Sequence, residues 1–220
     1  MCRSKYGGIL IEFAFSIPII ITLLFFVNDH YRFFELKNKL KSSAYFIASI
    51  IQNIGNTKTD KQLTHKDMKR IVYVSCFNFF HTNSMFSPYP FGIFYDVYLY
   101  YVRKTSDDQY YYQYIRTNTG HGGKIPMKDG MESGGTTATK TKAEIIELHP
   151  DLVCNKIGDE KLLIIPTYNA TTYTRFTKQK LGLFLLEPKF RQFTQPSYGS
   201  FYYKLVITPK PGLFPVKWEN

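Results

Sequence analysis

Near the start of the chain lies a long apolar run, which restricts the fold more than any other feature of the sequence. It extends from Gly7 to Val27, is 21 residues long and contains one ionisable side chain, Glu12. A helix needs about 20 apolar residues to cross the hydrocarbon core of a bilayer. The hydrophobic segment of a secretory signal is shorter, about 7–15 residues, and ends at a small-residue cleavage site, which is missing here. The run therefore predicts a transmembrane helix over residues 8–27.

Two residues inside this run carry specific expectations. A carboxylate within the hydrocarbon costs about 2.5–3.5 kcal/mol on insertion scales, so such a group usually has a partner and a function. Glu12 is therefore a candidate functional residue. Pro18 removes one backbone hydrogen bond and is expected to kink the helix locally.

The helical pattern continues beyond the run. Apolar residues recur mainly at three- and four-residue steps, which is typical of one helix face; they are Phe33, Phe34, Leu36, Leu40, Ala44, Ile47, Ala48 and Ile51. Much of the other face is polar, with Lys37, Asn38, Lys41 and Ser42. We expect one helix from Gly8 to Ile54, about 70 Å long at 1.5 Å per residue. Its second part, residues 28–55, would project from the membrane as a stalk and dock on the following domain.

The remaining chain, residues 56–220, predicts a single α+β domain. Thr64 followed by Asp67 resembles a capping box at the start of a second helix. The helical spacing then places a set of mostly apolar residues on one face, although their β-branched members also permit a strand; they are Met68, Ile71, Val72, Ser75, Cys76, Phe79 and Phe80. The Ser87–Pro90 segment, rich in proline, should end this helix.

Dense β-branched and aromatic residues indicate strands in the rest of the domain. We predict a hairpin from Gly92 to Thr117 with its turn at residues 105–108, and further strands at residues 160–170 and 200–208. Residues 118–141, rich in glycine and threonine, are expected to form a mobile surface loop. A short helix is expected at residues 143–149. Pro166 should lie at a sheet edge or a strand end, because proline cannot donate to a strand ladder.

The N-terminal pattern resembles a known family. A glycine, Gly7, is followed after four residues by Glu12 and Phe13, and then by an apolar run that a proline interrupts. This pattern is similar to the processing and assembly segment of type IV pilin-like proteins. In particular, they resemble the TadE/TadG-like pseudopilins of the Tad (Flp, type IVc-like) pilus family. The resemblance covers the first 55 residues well. It extends loosely to an acidic residue that leads an apolar strand at residues 160–170, and to the aromatic and apolar positions as far as residue 185.

The resemblance implies a processing site and an assembly residue. A prepilin peptidase would cut after Gly7, so that residues 1–7 are a leader peptide and Gly8 becomes the new N-terminus. Glu12 would then be the fifth residue of the mature chain. The Gly8 ammonium and the Glu12 carboxylate could pair within one chain or between neighbours, where a low dielectric strengthens their attraction. Cleavage after Gly8 is an alternative, but it would leave Glu12 one position early.

The direction of the helix across the membrane follows from the resemblance and not from the charges. Arg3 and Lys5 precede the run, whereas Arg32 and several lysines follow it. Counted alone, these charges would place the C-terminal side of the helix in the cytoplasm under the positive-inside rule, opposite to the orientation that the resemblance implies. The resemblance implies a single-pass inner-membrane protein with a periplasmic C-terminal domain, which could also be incorporated in an extracellular pilus. The expected fold is then pilin-like, a long N-terminal helix followed by an antiparallel β-sheet domain with flanking helices.

The cysteines and histidines give no metal, cofactor or catalytic signature. None of the three cysteines lies in a CxxC or Cys/His array, and the five histidines are scattered. There is no GxSxG or HExxH motif, so we expect no enzyme activity. If Cys2 is removed with the leader, the remaining pair in an oxidising periplasm suggests a Cys76–Cys154 disulfide. Packing of Cys76 as an inert core thiol is the alternative.

The expected function is that of a minor pseudopilin in Tad-type pilus assembly and surface adhesion. Its partners would be other pilins and pseudopilins, the inner-membrane assembly platform and the prepilin peptidase. One alternative is a membrane-anchored basic module that binds DNA or polysaccharide, since the net charge is +11 and the tyrosine-rich hairpin lies near Arg103, Lys104 and Arg116. Cross-strand packing explains the same tyrosines without a ligand and is the favoured interpretation. Another alternative is an uncleaved signal-anchor protein.

Overall fold

The structure, a computed structural model, describes residues 4–57, 62–81, 95–118, 133–168 and 201–218. The leader residues 1–3, the proline-rich segment at 87–90, most of the predicted loop and the segment 169–200 lie outside these ranges. The described elements, in chain order, are α1 (Ser4–Thr57), α2 (His65–His81), β1 (Tyr95–Lys104), β2 (Gln109–Asn118), β3 (Ser133–Thr141), α3 (Lys142–Leu148), a 3-10 turn (Pro150–Leu152), β4 (Glu160–Tyr168), β5 (Phe201–Tyr202) and β6 (Leu205–Ile207). Helices accompany an antiparallel sheet, so the α+β class is confirmed.

Helix α1 contains the whole predicted helix in 54 residues. One face of its second half is buried at three- and four-residue steps, as the spacing predicted; the buried residues are Leu40, Ala44, Ile47, Ala48 and Ile51. The predicted polar face, including Lys37 and Lys41, is exposed. Phe34 was expected on the buried face and is instead 59% exposed; among the described side chains of α1, burial begins at Leu40.

Helix α2 begins with the predicted capping box. The Asp67 backbone N–H donates to Thr64 Oγ1 at 3.3 Å, and the Thr64 N–H donates to Asp67 Oδ2 at 3.0 Å. These reciprocal bonds satisfy two backbone donors that the helix itself leaves unpaired. The predicted apolar face is buried at Met68, Ile71, Val72, Ser75, Cys76 and Phe79. The side chain of Phe80 lies outside the description.

Strand β1 lies between β2 and β4, and the order across the sheet is β3-β2-β1-β4-β5, with β6 also paired to β4. The predicted hairpin is confirmed, with Tyr101 opposite Gln113 and its turn closed by the Thr105 N–H donating to Gln109 O at 2.9 Å. Side chains alternate along β1. Tyr95, Val97, Leu99 and Tyr101 enter the core under α1 and α2. Tyr98, Tyr100 and Val102 enter a second core on the opposite face, beside α3.

The segment at 133–141 corrects one prediction. It forms strand β3, paired to β2 over nine register positions from Gln109↔Thr141 to Thr117↔Ser133, and not a surface loop. Its four threonines are β-branched and suit an extended backbone. The two glycines suggested flexibility, but the fully formed partner strand β2 fixes them in the ladder.

Pro166 corrects a second prediction, because it lies within β4 and not at an edge or strand end. It pairs with Val97 on the β1 side. Its carbonyl accepts from the Tyr203 N–H at 3.3 Å, so the missing Pro166 donor points to the same side. There the neighbouring strand is interrupted: β6 pairs with residues 162–164 and β5 with residues 167–168. The proline thus falls at a gap that requires no ladder donor.

The predicted last strand is divided into β5 and β6, and an irregular tail follows as expected. This tail crosses between the start of α2 and the sheet. Three backbone hydrogen bonds fix it there. The Leu63 N–H donates to Leu213 O and the Lys217 N–H donates to Leu63 O, both at 2.9 Å, and the His65 N–H donates to Lys217 O at 3.0 Å. The tail therefore closes the core below α2.

Candidate functional site

Residues 13–27 of α1 present apolar side chains to the outside on every side. Each side chain from Glu12 to Val27 is exposed, with Phe15 at 71% and Leu24 at 64%. Fifteen consecutive positions, 13–27, cover all directions around a helix that turns every 3.6 residues. A continuous apolar surface of this size marks a contact with a membrane or with another protein.

The two hydroxyl groups within residues 13–27 are bonded inside the helix. Ser16 Oγ donates to Glu12 O at 2.7 Å, and Thr22 Oγ1 donates to Pro18 O at 2.8 Å. Each bond reaches back four residues to a backbone carbonyl, a geometry that satisfies Ser and Thr within a helix. The segment thus exposes no unsatisfied hydroxyl donor to its surroundings.

The predicted processing and assembly residues share this helix. Gly7 and Gly8 lie in α1 before Glu12, and α1 continues through Pro18. The Glu12 side chain is exposed. Judged over the described part of the chain, none of the helices has the length and apolar character that crossing a membrane requires.

The two cysteines outside the leader are free and buried, which corrects the expected Cys76–Cys154 disulfide. Cys76 on α2 lies in the core beneath the helices, whereas Cys154 lies in the core on the other face of the sheet. The sheet separates the two thiols. Burial raises the pKa of both thiols, which keeps them protonated and unreactive.

The hairpin tyrosines form a packed ladder on the face beside α3. The ring centroids of Tyr98 and Tyr114 are 6.3 Å apart, those of Tyr114 and Tyr100 are 5.1 Å apart, and those of Tyr100 and Tyr112 are 6.3 Å apart. Tyr98, Tyr100 and Tyr112 are buried. Burial, followed by the nearby Asp96 carboxylate, raises the pKa of Tyr98 to about 12. These contacts support cross-strand packing as the role of the tyrosines.

A cleft with a volume of about 390 Å³ lies on the helix-side face, at the turn end of the hairpin. Tyr111, Arg103 and Glu160 are directly opposite one another across β2, β1 and β4. Arg103 Nε is 3.7 Å from Glu160 Oε1, and the Arg103 side chain is 54% exposed. Tyr101, Tyr111 and Pro215 contribute apolar lining. The cleft thus combines an aromatic wall with a half-exposed guanidinium that lies beside the Glu160 carboxylate.

Among the described residues no group of three or more His, Cys, Asp or Glu side chains could hold a metal ion. His149 is buried against the ring of Tyr100, with the centroids 4.3 Å apart. Burial, and then the Lys204 charge, lower the pKa of His149 to about 4. A neutral imidazole between α3 and the 3-10 turn therefore packs against the second core.

Sequence reasoning missed a buried hydroxyl cluster beneath α1. Ser43 Oγ is 2.7 Å from Ser75 Oγ, and Ser75 Oγ is 2.8 Å from the Tyr95 hydroxyl, which also contacts Ser43 Oγ. The cluster joins α1, α2 and β1. Serines at core positions of two helices were the available signal, but neither serine identifies its partner in another element.

The chain was compared with family models, with curated proteins and with solved structures, and none of the three comparisons finds a match.

Proposed function

We propose that the chain is a minor pseudopilin of a Tad-type pilus, held in the inner membrane by residues 8–27. The observation that carries the proposal is the long apolar half-helix, exposed on all sides, that is continuous with a helix docked on an α+β domain. A surface of this kind needs a lipid phase or the corresponding helices of other subunits. A pilin-like subunit uses both in turn, first the bilayer and then the filament.

The internal bonding of Ser16 and Thr22 supports an apolar environment. In hydrocarbon, an unsatisfied hydroxyl costs several kcal/mol by the estimates for water-to-alkane transfer, about 4–8 kcal/mol. The finding on membrane-spanning helices covers the described residues only, and the structure describes the side chains of this run from Glu12 onward. The proposed anchor rests on the sequence of the whole run from Gly7 to Val27, which has the length of a bilayer core.

Glu12 is the proposed assembly residue. With cleavage after Gly7, the new ammonium of Gly8 is an opposite charge near the Glu12 carboxylate of the same or a neighbouring subunit. Pairing offsets part of the cost of placing a carboxylate in lipid. The proposed topology leaves the sheet domain in the periplasm, and the partners are other pilins, the assembly platform and the prepilin peptidase.

The test of processing is the intact mass of the full chain produced with and without a co-expressed prepilin peptidase. We expect the loss of residues 1–7 in wild type and no loss in Gly7→Ala. Loss of residues 1–8 would move the site to Gly8. An unchanged mass in every sample, with the chain in the membrane fraction, would support the uncleaved signal anchor and reject the pseudopilin.

The test of assembly compares Glu12→Ala with Glu12→Gln, which keeps the shape and loses the charge. We expect both variants to be processed and to fail to enter pili. Normal pilus formation by both variants would contradict the assembly role of Glu12. Glu35→Gln is a matched control, because Glu35 lies on the same helix and pairs with Lys39 at 3.2 Å, outside the proposed anchor.

A second candidate function, binding of anionic polysaccharide or DNA, has one observation in its favour: the half-exposed Arg103 beside the aromatic wall of the cleft. Retention of the full chain on heparin or DNA should then fall steeply with salt. It should also fall in Arg103→Gln compared with Lys142→Gln on the exposed side of α3. Equal retention of the two variants would exclude the cleft as the binding site.

A further inference from the structure

Among the described strands, β3 forms one long side of the sheet. It is the last strand in the order of the sheet, and β2 is its one partner among the described strands. All side chains from Gly134 to Thr139 are exposed. An edge strand presents a row of backbone donors and acceptors that can pair with another strand.

The devices that usually protect such an edge are missing from β3. Its nine residues contain no proline and one charged side chain, Lys140, and its register with β2 advances one residue at a time without a bulge. Natural edge strands are commonly shortened, charged, bulged or interrupted by proline. A nine-residue edge is also long relative to the usual strand of about 5–6 residues.

The edge is also held in its extended form by contacts at both ends. At its C-terminal end, the Thr141 N–H donates to Glu144 Oε2 at 2.7 Å, and the Lys142 N–H donates to Asp108 O at 3.1 Å. Near its N-terminal end, the Trp218 indole packs against Gly135. A strand fixed in this way loses little conformational entropy when another strand pairs with it.

We propose that β3 pairs antiparallel with β3 of a second copy of this chain, about a two-fold axis at Thr137. In this register Thr137 faces Thr137 of the other copy, Thr136 faces Ala138, and Gly135 faces Thr139. Lys140, the single charge of the strand, faces Gly134. The edge is therefore self-complementary, since no like charges oppose each other and a glycine accommodates the longest side chain.

The net charge of +11 on each copy opposes this pairing over longer distances. Salt screens such repulsion, with a Debye length of about 8 Å at 0.15 M. The pairing should therefore strengthen as the salt concentration rises, unlike an association based on attraction between opposite charges. The inference depends on the sheet edge alone and is independent of the proposed role in pilus assembly.

Disulfide trapping of the full chain tests the register, in a Cys2→Ser background because Cys76 and Cys154 are buried. Opposed Cα atoms in an antiparallel pair are about 4.5–5.5 Å apart, within the range of a disulfide at about 4.4–6.8 Å. We expect Thr137→Cys to form linked dimers under mild oxidation. Thr139→Cys is the matched control, exposed on the same strand face, but its own copies would be about 14 Å apart.

We expect several-fold more linked dimer from Thr137→Cys than from Thr139→Cys. Equal yields would indicate random collisions and overturn the proposal, as would a higher yield from Thr139→Cys. In a second experiment, the dimer fraction of the full chain is measured for Thr137→Lys, Thr137→Glu and their equal mixture. Loss of dimer in each variant and its recovery in the mixture supports the pairing, whereas an unchanged dimer in Thr137→Lys rejects it.

Discussion

The side-chain amide of Gln113 bonds to the backbone of Val216 as a residue of a neighbouring strand would. Gln113 Nε2 donates to Val216 O at 3.0 Å, and Gln113 Oε1 accepts from the Val216 N–H at 2.8 Å. Both ends of the pair are buried. Since the tail around Val216 has no ladder of its own with the sheet at this point, one side chain of β2 satisfies a buried donor and a buried acceptor.

Replacing Gln113 with Glu is expected to destabilise the domain. The carboxylate retains an acceptor for the Val216 N–H, but it places a second oxygen against the Val216 carbonyl. An unsatisfied buried acceptor costs about 1–3 kcal/mol, and more when a charged group is involved. Urea unfolding at pH 7 should show this loss, and Gln109→Glu, at the exposed start of β2, should remain close to wild type.

The sign of the pH dependence provides a second check on Gln113→Glu. Burial next to a carbonyl raises the carboxyl pKa in the folded state above its unfolded value of about 4.3. A raised folded pKa gives the folded state its advantage at low pH, and this advantage is lost as the pH rises through the folded value. The deficit relative to wild type should therefore be smaller at pH 4 than at pH 7. An equal deficit at both values would contradict this account.

Gly135→Ala should disturb the contact between β3 and the tail. A Cβ at this position would lie 2.6 Å from Trp218 Cζ2 and 2.8 Å from Cη2, and would also meet the Tyr114 carbonyl oxygen. Overpacking of this kind typically costs about 1–3 kcal/mol. Thermal unfolding should show the loss, together with a change in tryptophan fluorescence, since Trp218 is the single tryptophan.

Gly134→Ala is the matched control for this prediction. A Cβ on Gly134 would meet no heavy atom within 4 Å. The substitution should therefore be neutral or slightly stabilising, because alanine has less backbone freedom to lose than glycine. A similar loss of stability in both variants would show that strand propensity, and not the Trp218 contact, controls the effect.

Removing the Tyr95 hydroxyl should weaken the junction between α1, α2 and β1. Tyr95→Phe leaves Ser43 and Ser75 bonded to each other but removes their shared partner. The expected loss is about 1–2 kcal/mol in the free energy of unfolding, since a buried hydrogen bond and its desolvated partners are involved.

Tyr101→Phe provides the comparison on the same face of β1. The buried Tyr101 hydroxyl makes no hydrogen bond of ordinary geometry within the described part of the chain, although burial and the Glu160 carboxylate, which is close enough to interact with it, raise its pKa. Deleting an unbonded buried hydroxyl should be neutral or stabilising. If urea unfolding shows equal losses for the two tyrosine variants, the hydroxyl cluster contributes no specific stability.

The sequence predicted elements whose information is local. The three- and four-residue steps gave the buried faces of α1 and α2, and Thr64 with Asp67 gave the start of α2, because helix periodicity and capping act within a few residues. The hairpin followed from two aromatic segments around a polar turn. These features require no knowledge of which elements are neighbours in space.

Several errors and missed contacts concern residues that are close in space but far apart in the sequence. Pro166 is tolerated inside β4 because the neighbouring strand is interrupted at that position, and this gap depends on residues about 40 positions later. The free thiols of Cys76 and Cys154 follow from the sheet that lies between them. The Gln113–Val216 pair joins residues 103 positions apart, so its role could not be read from the tyrosine-rich strand around it.

His149 should make the domain less stable as the solution becomes acidic. Its pKa is about 4 in the folded state against 6.5 for the exposed imidazole of the unfolded chain, so the unfolded chain binds a proton first as the pH falls. Because the folded pKa is lowered, the stability that the neutral His149 imidazole contributes is complete above pH 6.5. It is lost as the pH falls toward 4 and changes little below that. The loss is at most about 3 kcal/mol. Urea unfolding between pH 7 and 4 should show a smaller decline in His149→Gln than in wild type. A parallel decline in wild type and His149→Gln would show that other groups control the acid sensitivity.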